Sequence, residues 1–550
     1  MSTSNPILIL QMQRMGDLVL SFPLLGWLGA AFPGHPLWVV GEPAFFEPLM
    51  PLSPRVTYFS YKGGVPDFSH TRFHTVINLS HRPEAAMLAA AAKSDELVGP
   101  YMVDSGELHI QGNWQLYRSS LTHNNRYNLY HWADLNALDL IPAGQMQRTN
   151  WPLPRPFRTQ NTPRAAGRIP AAGTEIQSAA ATAEAPAAPL TLEQEAETQA
   201  VAGQAAPVVN SARVGLFLGA SEPDKHPDVE FWANLARLLI KQGHKPVLLG
   251  GEAEKPLGHA VAARIKAFPL NLCGHFSVRT LAEFIADLDL LVTPDTGPMH
   301  VAVWSGTPVL NLSLGPVNPW ETGPFSSGHH VVRPVLDCIG CWGCVRPLVD
   351  CKERLVAGRV AGIIDALLGN RGLDGMERLA PGLELLRTGR GAGGLFTMAP
   401  VFSSAPKEGF LTSALRHGAA APDGTLDIDA QAFLAASRHD MALFWKAWFG
   451  ELFGRGTSEN TKQAWTVFHE RHPRAAKVFA LGIADLALAL AKTAKTDAAY
   501  LLENPDFWRE VPPLLQPLSG YIHMYVQNSR ARRESLLHAL SLAERLQALM

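Results

Sequence analysis

The chain has 550 residues, of which 47% are hydrophobic and 17% are charged. A single hydrophobic core rarely supports a chain of this length, so we expect at least two domains. The 47 basic and 49 acidic side chains nearly cancel, which excludes a global field that would attract nucleic acid or an anionic membrane. Any anion that the protein binds must therefore be held locally.

The apolar N-terminal stretch predicts a buried strand followed by a helix. Residues 7–10 read Ile-Leu-Ile-Leu, and apolar residues then recur at helical spacing from Leu18 onward. Arg14 and Asp17 interrupt the apolar run, and no basic region precedes it. We therefore expect neither a signal peptide nor a membrane span here.

Strands that alternate with helices indicate two α/β domains with parallel sheets. The first domain has predicted strands at residues 7–10, 37–40 and 75–79. The second begins with a strand at residues 213–220, followed by a helix with Asp228 as its N-cap and Gly243 as its stop. Further strands are predicted in the segments PVLLGG, DLLVTP and PVLNL.

Composition divides the chain into four segments. Their predicted boundaries are 1–157, 158–211, 212–371 and 372–550. The second segment is rich in Ala and Pro and has almost no large apolar side chains, which predicts a flexible linker or insertion. Strand signals fade after residue 372, so the fourth segment is predicted to be a helical extension. Its stripe of Phe444, Trp448 and Leu452 at helical spacing is interpreted as core rather than as a binding site.

The first candidate site is the turn after the opening strand, because ligands bind outside the carboxyl ends of strands in open α/β sheets. Gly16 allows a tight turn there, and Asp17 lies at the start of the helix. A catalytic carboxylate and a simple N-terminal cap both fit this position of Asp17.

The second candidate site is the segment TPDTGPMH, which follows a strand of the second domain. Thr296 and Gly297 precede a short helix, whose N-terminal N–H groups would suit an anion. Asp295 is better placed to orient the loop or meet a hydroxyl, and His300 could donate to a phosphate oxygen. Lys225 precedes another helix and, taken alone, is read as a solvent-exposed lysine. Because no glycine-rich dinucleotide fingerprint or Walker lysine loop is present, a phosphate site must be assembled from these scattered groups.

The order and spacing of these segments resemble glycosyltransferase family 9, the bacterial ADP-heptose:lipopolysaccharide heptosyltransferases. The likeness covers about residues 6–155 and 213–355, and it is carried by ILILQMQRMGDLVLSFPLLGWL, FHTVINLSHRPEAAMLAAAAKSDELVG, NLYHWADLNALDLI, GASEPDKHPDVEFWANLARLL and LLVTPDTGPMHVAVWSGTPVLNLSLGPVNPWETGPF. The resemblance implies a glycosyltransferase-B fold of two doubly wound Rossmann-like domains. The acceptor would bind mainly to the first and the nucleotide sugar mainly to the second.

The resemblance also implies roles for particular residues. Asp17 matches the family's proposed general base, and Lys225 matches a lysine that contacts donor phosphate. Thr296, Gly297 and His300 match the diphosphate-binding loop. The reaction would invert the anomeric carbon and require no metal.

One departure from the family pattern bears on the donor. The family loop has a leucine and a small polar residue where this chain has Pro298 and Met299. Since proline suits the first helical position, we expect the anion site to survive. The implied donor is ADP-heptose or a related nucleotide sugar. The implied acceptor is a lipopolysaccharide-core or other bacterial surface glycan, free or lipid-linked.

The resemblance further implies a cytoplasmic enzyme, with peripheral contact at the inner membrane where the acceptor is lipid-linked. The oligomeric state is left open, and so are two alternative functions. One is a nucleotide-sugar epimerase or hydrolase on the same fold, and the other is a non-catalytic sugar-nucleotide-binding scaffold.

Four of the five cysteines, Cys338, Cys341, Cys344 and Cys351, lie within fourteen residues. Their spacing would suit structural zinc or an iron-sulfur cluster, and structural thiols without metal are the third alternative. Such a clustered set is unlike the framework of a secreted disulfide protein, which favours a reducing cytoplasm. Cys273 is interpreted as a buried core thiol.

Overall fold

A computed structural model describes most of the chain outside the predicted linker. The described residues are 4–62, 67–146, 211–265, 269–336, 341, 344, 349–369, 373, 375–403, 428–496, 511–529 and 532–550. Most of the predicted linker lies outside the described residues, as does Cys338. Within these ranges, no helix has both the length and the apolar character needed to cross a bilayer.

The first α/β domain is built on a six-stranded sheet. Its strands are β1 (Ile7–Gln11), β2 (Leu37–Gly41), β3 (Thr57–Ser60), β4 (Arg72–Asn78), β5 (Lys93–Met102) and β6 (Leu108–Gln111). They lie in the order β3-β2-β1-β4-β5-β6, with β6 antiparallel to β5 and all other pairs parallel. All five residues of β1 are buried, because this central strand is covered on both faces. The three predicted strands are confirmed.

Within the described residues, six helices accompany the first sheet. They are α1 (Met15–Ala31), α2 (Pro43–Leu49), α3 (Pro83–Ala91), α4 (Asn113–Ser120), α5 (Trp132–Leu135) and α6 (Ala143–Met146). Helix α1 buries ten consecutive or near-consecutive side chains from Leu18 to Leu28. It is apolar on nearly all sides because one face covers the first sheet while another contacts the second domain.

The second domain is built on an eight-stranded sheet. Its strands are β7 (Arg213–Phe217), β8 (Lys245–Leu249), β9 (Leu270–Asn271), β10 (Leu290–Pro294), β11 (Val309–Leu312), β12 (His330–Pro334), β13 (Leu383–Arg390) and β14 (Phe396–Ser403). The order is β14-β13-β12-β11-β10-β7-β8-β9. The six strands from β9 to β12 are parallel and follow the Rossmann order 3-2-1-4-5-6. The predicted α/β class with two doubly wound sheets is confirmed.

The helices of the second domain alternate with its strands. They are α7 (Val229–Lys241), α8 (Lys255–Ala263), α9 (Val278–Ala286), α10 (Gly297–Trp304), α11 (Pro319–Thr322), α12 (Asp350–Arg354), α13 (Ala357–Leu367) and α14 (Met376–Leu379). The predicted cap of α7 is confirmed, since the Asp228 carboxylate accepts a hydrogen bond of 2.8 Å from the backbone N–H of Phe231. Gly243, the predicted stop, has a positive φ of 87°.

Strands β13 and β14 correct one sequence prediction. Both lie after residue 372, where only helices are predicted, and they extend the second sheet with antiparallel pairing. Their sequences, LELLRTGR and FTMAPVFS, do not form a buried apolar run of the kind that marks the parallel strands. The edge of the second sheet thus reaches to Ser403, and the helical region begins only beyond it.

The helical region packs on the first domain and shares its core. Its helices are α15 (Ile428–Leu452), α16 (Ser458–Arg471), α17 (Pro473–Thr496), α18 (Gln516–Asn528) and α19 (Arg533–Gln547). Phe444 and Trp448 are each 1% exposed within one hydrophobic cluster that includes residues of α1 and α4, which confirms their interpretation as core. Asn528 hydrogen-bonds both the N–H and the C=O of Ile110 in β6, at 2.6 and 2.9 Å.

Candidate active site

Asp17 lies in the first turn of α1, directly after the carboxyl end of β1. Its Oδ2 accepts a hydrogen bond of 3.2 Å from the backbone N–H of Arg14, so the carboxylate does help to cap the helix. Asp17 therefore has the capping role that was one of its two predicted alternatives. Burial raises the pKa of Asp17, while the positive charges of Arg118 and Arg14 and the hydrogen bond from Arg14 N–H act in the opposite direction.

The N-terminus of α10 forms the second half of the site. Thr296 is the N-cap in an extended conformation, and its side chain makes no capping hydrogen bond in the described structure. Such a helix start retains N–H groups for an anion. His300 is 6% exposed, and burial lowers its pKa to about 4, so its ring is neutral at pH 7. Among the described residues, Nδ1 of His300 has no hydrogen-bond partner.

These two helix starts pack directly against each other across the domain interface. A methyl group added at Gly297 would lie 3.5 Å from the backbone nitrogen of Gly16 and 2.5 Å from Cε of Met15. A methyl group added at Gly16 would lie 3.3 Å from Cδ2 of His300. The absence of side chains at both glycines is what lets the helix starts approach so closely. Asp17 is thereby held beside the loop that begins α10.

Lys225 lies in a short 3₁₀ helix, Pro223–Lys225, after β7. Its ammonium group pairs with the Glu222 carboxylate at 3.2 Å, and its side chain is only 17% exposed. The interpretation of Lys225 as an ordinary solvent-exposed lysine is therefore wrong. Because β7 and β10 are neighbours at the point where the strand order reverses, the turn after β7 and the loop after β10 share the crevice where ligands bind in such sheets.

Asp295 lies on the loop before α10, within electrostatic reach of both Lys225 and Asp17. It accepts a hydrogen bond of 3.3 Å from the Thr322 hydroxyl. Burial raises the pKa of Asp295 to about 6, with attraction by Lys225 lowering it and repulsion by Asp17 and Glu222 adding to the rise. The structure thus brings Asp17, Lys225 and the residues 295–300 together, as predicted, although their chemical roles remain predictions.

Sequence reasoning missed two charged groups of the same cleft, Arg118 on α4 and Glu321 on α11. Glu321 accepts hydrogen bonds from Trp132 Nε1 at 2.5 Å and from the side-chain amide of Asn125. Burial raises its pKa to about 7, against the effect of these two donors and of Arg118. The sequence did contain a pattern that places Glu321 in a first helical turn, because Asn318 and Pro319 just before it form a typical helix start. A single arginine inside a helix gives no comparable signal.

The cysteine segment lies beside the Lys225 turn. Cys341, Cys344 and Cys351 line one cavity of about 30 Å³, and Cys351 Sγ accepts a hydrogen bond of 3.4 Å from the N–H of Gly315. In the part of the chain that the structure describes, no group of three or more His, Cys, Asp and Glu side chains is arranged to hold a metal ion. The metal alternatives therefore stay predictions that depend on Cys338.

The fifth cysteine, Cys273, is a buried core residue. Cys273 is 1% exposed, and burial raises the pKa of its thiol to about 12. Its interpretation as a core thiol is confirmed.

Comparison with known proteins confirms the family resemblance. The family model for glycosyltransferase family 9 (heptosyltransferase) matches residues 169–344. A lipooligosaccharide heptosyltransferase 2 of Haemophilus influenzae is 32% identical over 106 residues, which are 18% of this chain and 30% of that protein. The matched stretch thus spans about a third of the length of this curated relative.

Two solved structures are also similar to this chain. E. coli ADP-heptose lipopolysaccharide heptosyltransferase II has 20% identity and a TM-score of 0.43, covering 66% of this chain and 98% of its own. The iron-containing dodecameric glycosyltransferase TibC of enterotoxigenic E. coli has 13% identity and a TM-score of 0.36, covering 66% and 76%.

Substitution of Gly315 would test whether its close packing against the backbone of the Lys225 turn stabilises the protein. Its φ is +68°, and an added methyl group would lie 2.6 Å from the backbone oxygen of Asp224. We expect Gly315→Ala to lower the free energy of unfolding by about 2–4 kcal/mol, from left-handed strain plus the backbone clash. Gly328 is the matched control, because its φ is +90° but nothing lies within 4 Å of an added methyl group. Gly328→Ala should cost only the strain, about 1–2 kcal/mol.

Urea denaturation of both variants beside the parent protein makes the comparison. Equal losses in the two variants would contradict the proposed packing of Gly315 against the Lys225 turn.

Proposed function

We propose that this protein is an inverting glycosyltransferase. It moves heptose or a related sugar from a nucleoside-diphosphate donor, ADP-heptose in the first instance, to a hydroxyl of a lipopolysaccharide-core or other bacterial surface glycan. The acceptor binds mainly to the first domain, and the donor binds mainly to the second. A lipid-linked acceptor would place the reaction at the cytoplasmic face of the inner membrane.

The observation that carries this proposal is the contact between the helix starts at Gly16 and Gly297. Through it, a partly buried carboxylate after β1 of one sheet adjoins a helix N-terminus at the switch point of the other. Transfer between a hydroxyl and a phosphate-linked sugar needs a base on one side of the reacting carbon and a stabiliser of the leaving diphosphate on the other. The two halves of the cleft supply these groups from different domains.

Asp17 acts as the general base. It accepts the proton of the acceptor hydroxyl while that oxygen attacks the anomeric carbon and the bond from this carbon to the diphosphate breaks. Burial raises the pKa of Asp17 above its ordinary value, which makes the ionised carboxylate a stronger proton acceptor. Attack from the side opposite the diphosphate inverts the anomeric configuration.

The leaving diphosphate is stabilised by Lys225, by the N–H groups at the start of α10 and by His300. Lys225 contributes a fixed positive charge, and the helix start contributes oriented dipoles. His300 is neutral at pH 7 because burial lowers its pKa to about 4, so one ring nitrogen can donate a hydrogen bond while the other accepts.

The proposal is tested with purified protein and a panel of ADP-, GDP- and UDP-sugars, each with and without truncated lipopolysaccharide-core acceptors. Acceptor-dependent nucleotide release with an ADP-sugar supports it. Nucleotide release without any acceptor would indicate an epimerase or hydrolase instead. Binding without turnover in every mixture would indicate a scaffold.

Replacing the proposed base should separate chemistry from binding. We expect Asp17→Asn to reduce transfer by ~10²- to 10⁴-fold, the usual contribution of a positioned base, and to leave the Kd for the donor within about twofold of the parent value. Transfer rates and donor calorimetry measure the two effects. Asp287→Asn, at the exposed C-cap of α9, is the control, and unchanged turnover of Asp17→Asn would remove Asp17 from the role of base.

Lys225 should affect binding as well as rate. We expect Lys225→Ala to weaken donor affinity about tenfold or more and to slow transfer, because a partly buried charge facing the diphosphate is lost. The exposed Lys241 of α7 provides the control variant Lys241→Ala, which should keep the parent affinity. Normal donor affinity in Lys225→Ala would show that the lysine does not contact the phosphates.

The cysteine segment is tested by elemental analysis of the reduced protein. Four thiolates from Cys338, Cys341, Cys344 and Cys351 predict about one zinc, or an iron-sulfur cluster with its visible absorption, per chain. Cys341→Ser should then lose that metal, while Cys273→Ser should keep it. Metal-free protein with normal transfer would establish the third alternative, structural thiols that support the Lys225 turn.

A further inference from the structure

A short segment of the second domain, residues 318–323, bonds to the first domain and also to the loop before α10. It follows β11 and contains α11. Asn318 opens the segment and is 2% exposed. Its side-chain oxygen accepts from the N–H of Trp320 at 3.1 Å, and its side-chain amide donates to the backbone oxygens of Asn125 and Asn128 at 2.7 and 2.9 Å. One side chain thus caps the helix and binds the other domain.

Glu321, in the same short helix, is held by the first domain through both of its carboxylate oxygens. Oε1 accepts from Nε1 of Trp132 at 2.5 Å, and Oε2 accepts from the side-chain amide of Asn125. Glu321 is 4% exposed. Because hydrogen bonds to an ionised group are shorter and stronger than neutral ones, two such donors fix the orientation of this carboxylate.

Gly323 ends the segment with a further bond to the first domain. Its backbone oxygen lies 2.9 Å from Nε2 of His131, which is a fully buried side chain. The other ring nitrogen of His131, Nδ1, accepts from the N–H of Ala133 at 3.2 Å. Since Nδ1 accepts, Nε2 carries the ring proton and donates it to Gly323. The segment is therefore bonded to the first domain at its start, within its helix and at its end.

Thr322 lies between two of these bonded residues, but its side chain contacts the second domain. Its hydroxyl donates to Oδ2 of Asp295 at 3.3 Å. Asp295 immediately precedes Thr296, the N-cap of α10. Because Glu321 and Gly323 on either side are bonded to the first domain, the position of the Thr322 hydroxyl depends on how the two domains dock.

Asp295 suits a hydroxyl of the donor better than its diphosphate. A carboxylate repels phosphate oxygens, but it accepts readily from a neutral hydroxyl. Asp295 lies two residues before Gly297, and a methyl group added at Gly297 would be 3.5 Å from the backbone nitrogen of Gly16. Gly16 in turn precedes Asp17, the proposed base. The sugar to be transferred must lie between Asp17 and the diphosphate, which is the part of the cleft where Asp295 lies.

We propose that Thr322 is a positioning residue for the donor sugar: it holds one oxygen of the Asp295 carboxylate so that the other accepts from a hydroxyl of the sugar to be transferred. The 318–323 segment makes this contact depend on the docking of the first domain. The inference rests on the proposed transferase function and adds a selection step to it. Nucleotide alone lacks the sugar, so its binding does not use the contact.

The test compares the affinities for ADP-heptose and for ADP, measured by calorimetry. We expect Thr322→Val to raise the Kd for ADP-heptose about fivefold, because Asp295 loses the hydroxyl that orients it, and to change the Kd for ADP by less than about twofold. Thr322→Ser keeps a hydroxyl and should restore the parent ratio of the two affinities.

Thr307→Val is the matched control for a lost threonine hydroxyl in the same domain. Thr307 is 1% exposed, and its hydroxyl donates to the backbone oxygen of Ile285 at 2.9 Å. The bond does not involve the 318–323 segment, so this variant should lose stability and keep both affinities.

A variant of the first domain tests the dependence on docking. Trp132→Phe keeps an aromatic ring and removes the N–H that binds Glu321, so it should weaken ADP-heptose more than ADP. Because both changes act on one contact, the double variant Trp132→Phe, Thr322→Val should weaken ADP-heptose by less than the product of the two single effects. Trp445→Phe is the control, since its N–H donates at 2.9 Å to a backbone oxygen within the helical region, and it should preserve both affinities.

Equal losses of affinity for ADP and ADP-heptose in Thr322→Val would show that Thr322 only supports the fold, and they would overturn the inference. Unchanged affinities in that variant, failure of Thr322→Ser to restore the ratio, or independent effects in the double variant would also overturn it. A parent protein that binds ADP but none of the nucleotide sugars would remove the proposed function itself, and the inference with it.

Discussion

The whole arrangement depends on the close approach of two helix starts, one from each α/β domain. Gly16 and Gly297 lie within contact distance of each other's backbone, and Met15 and His300 fill the space on either side. Any larger residue at the two glycines would need its neighbours to shift before the domains could meet at this separation. Because Asp17 follows Gly16 and Gly297 begins α10, the same contact sets the distance between Asp17 and the start of α10.

Among the polar contacts across the domain interface, several belong to one short segment, residues 318–321. Asn318 donates to the backbone oxygens of Asn125 and Asn128 at 2.7 and 2.9 Å, and Glu321 accepts from Trp132 of α5. The segment follows β11 of the second sheet, yet its partners all belong to the first domain. Through Asn318 and Glu321 the segment contributes to the interface and places a carboxylate beside the first domain.

The sequence permitted accurate prediction wherever one local pattern decided the structure. Buried apolar runs located β1, β2, β4 and the central strands of the second sheet, and the Asp228 cap located α7. The antiparallel strands β13 and β14 escaped because β13 is defined by pairing with β12, a contact across some fifty residues of chain, and β14 by pairing with β13. Arg118 escaped for the same reason, since nothing within α4 indicates the carboxylates that α1 and α11 bring to it. Lys225 was read as exposed because its burial depends on the fold of the second domain.

The buried charges of the cleft show a conflict between stability and chemistry. A dry site strengthens a carboxylate as a base, but the same dryness favours its protonated, inactive form. Apolar residues at these positions would remove the cost of burying charge, and they would remove the carboxylates as well. In this fold, Asp17 lies among both positively and negatively charged side chains, which differ in how deeply they are buried. The positive charge of Arg118 lowers the pKa of Asp17, while burial raises the pKa values of Asp295 and Glu321. The charge state of Asp17 therefore depends on the assembled interface, because α1, α4, the loop after β10 and α11 each supply a charged group of the cleft.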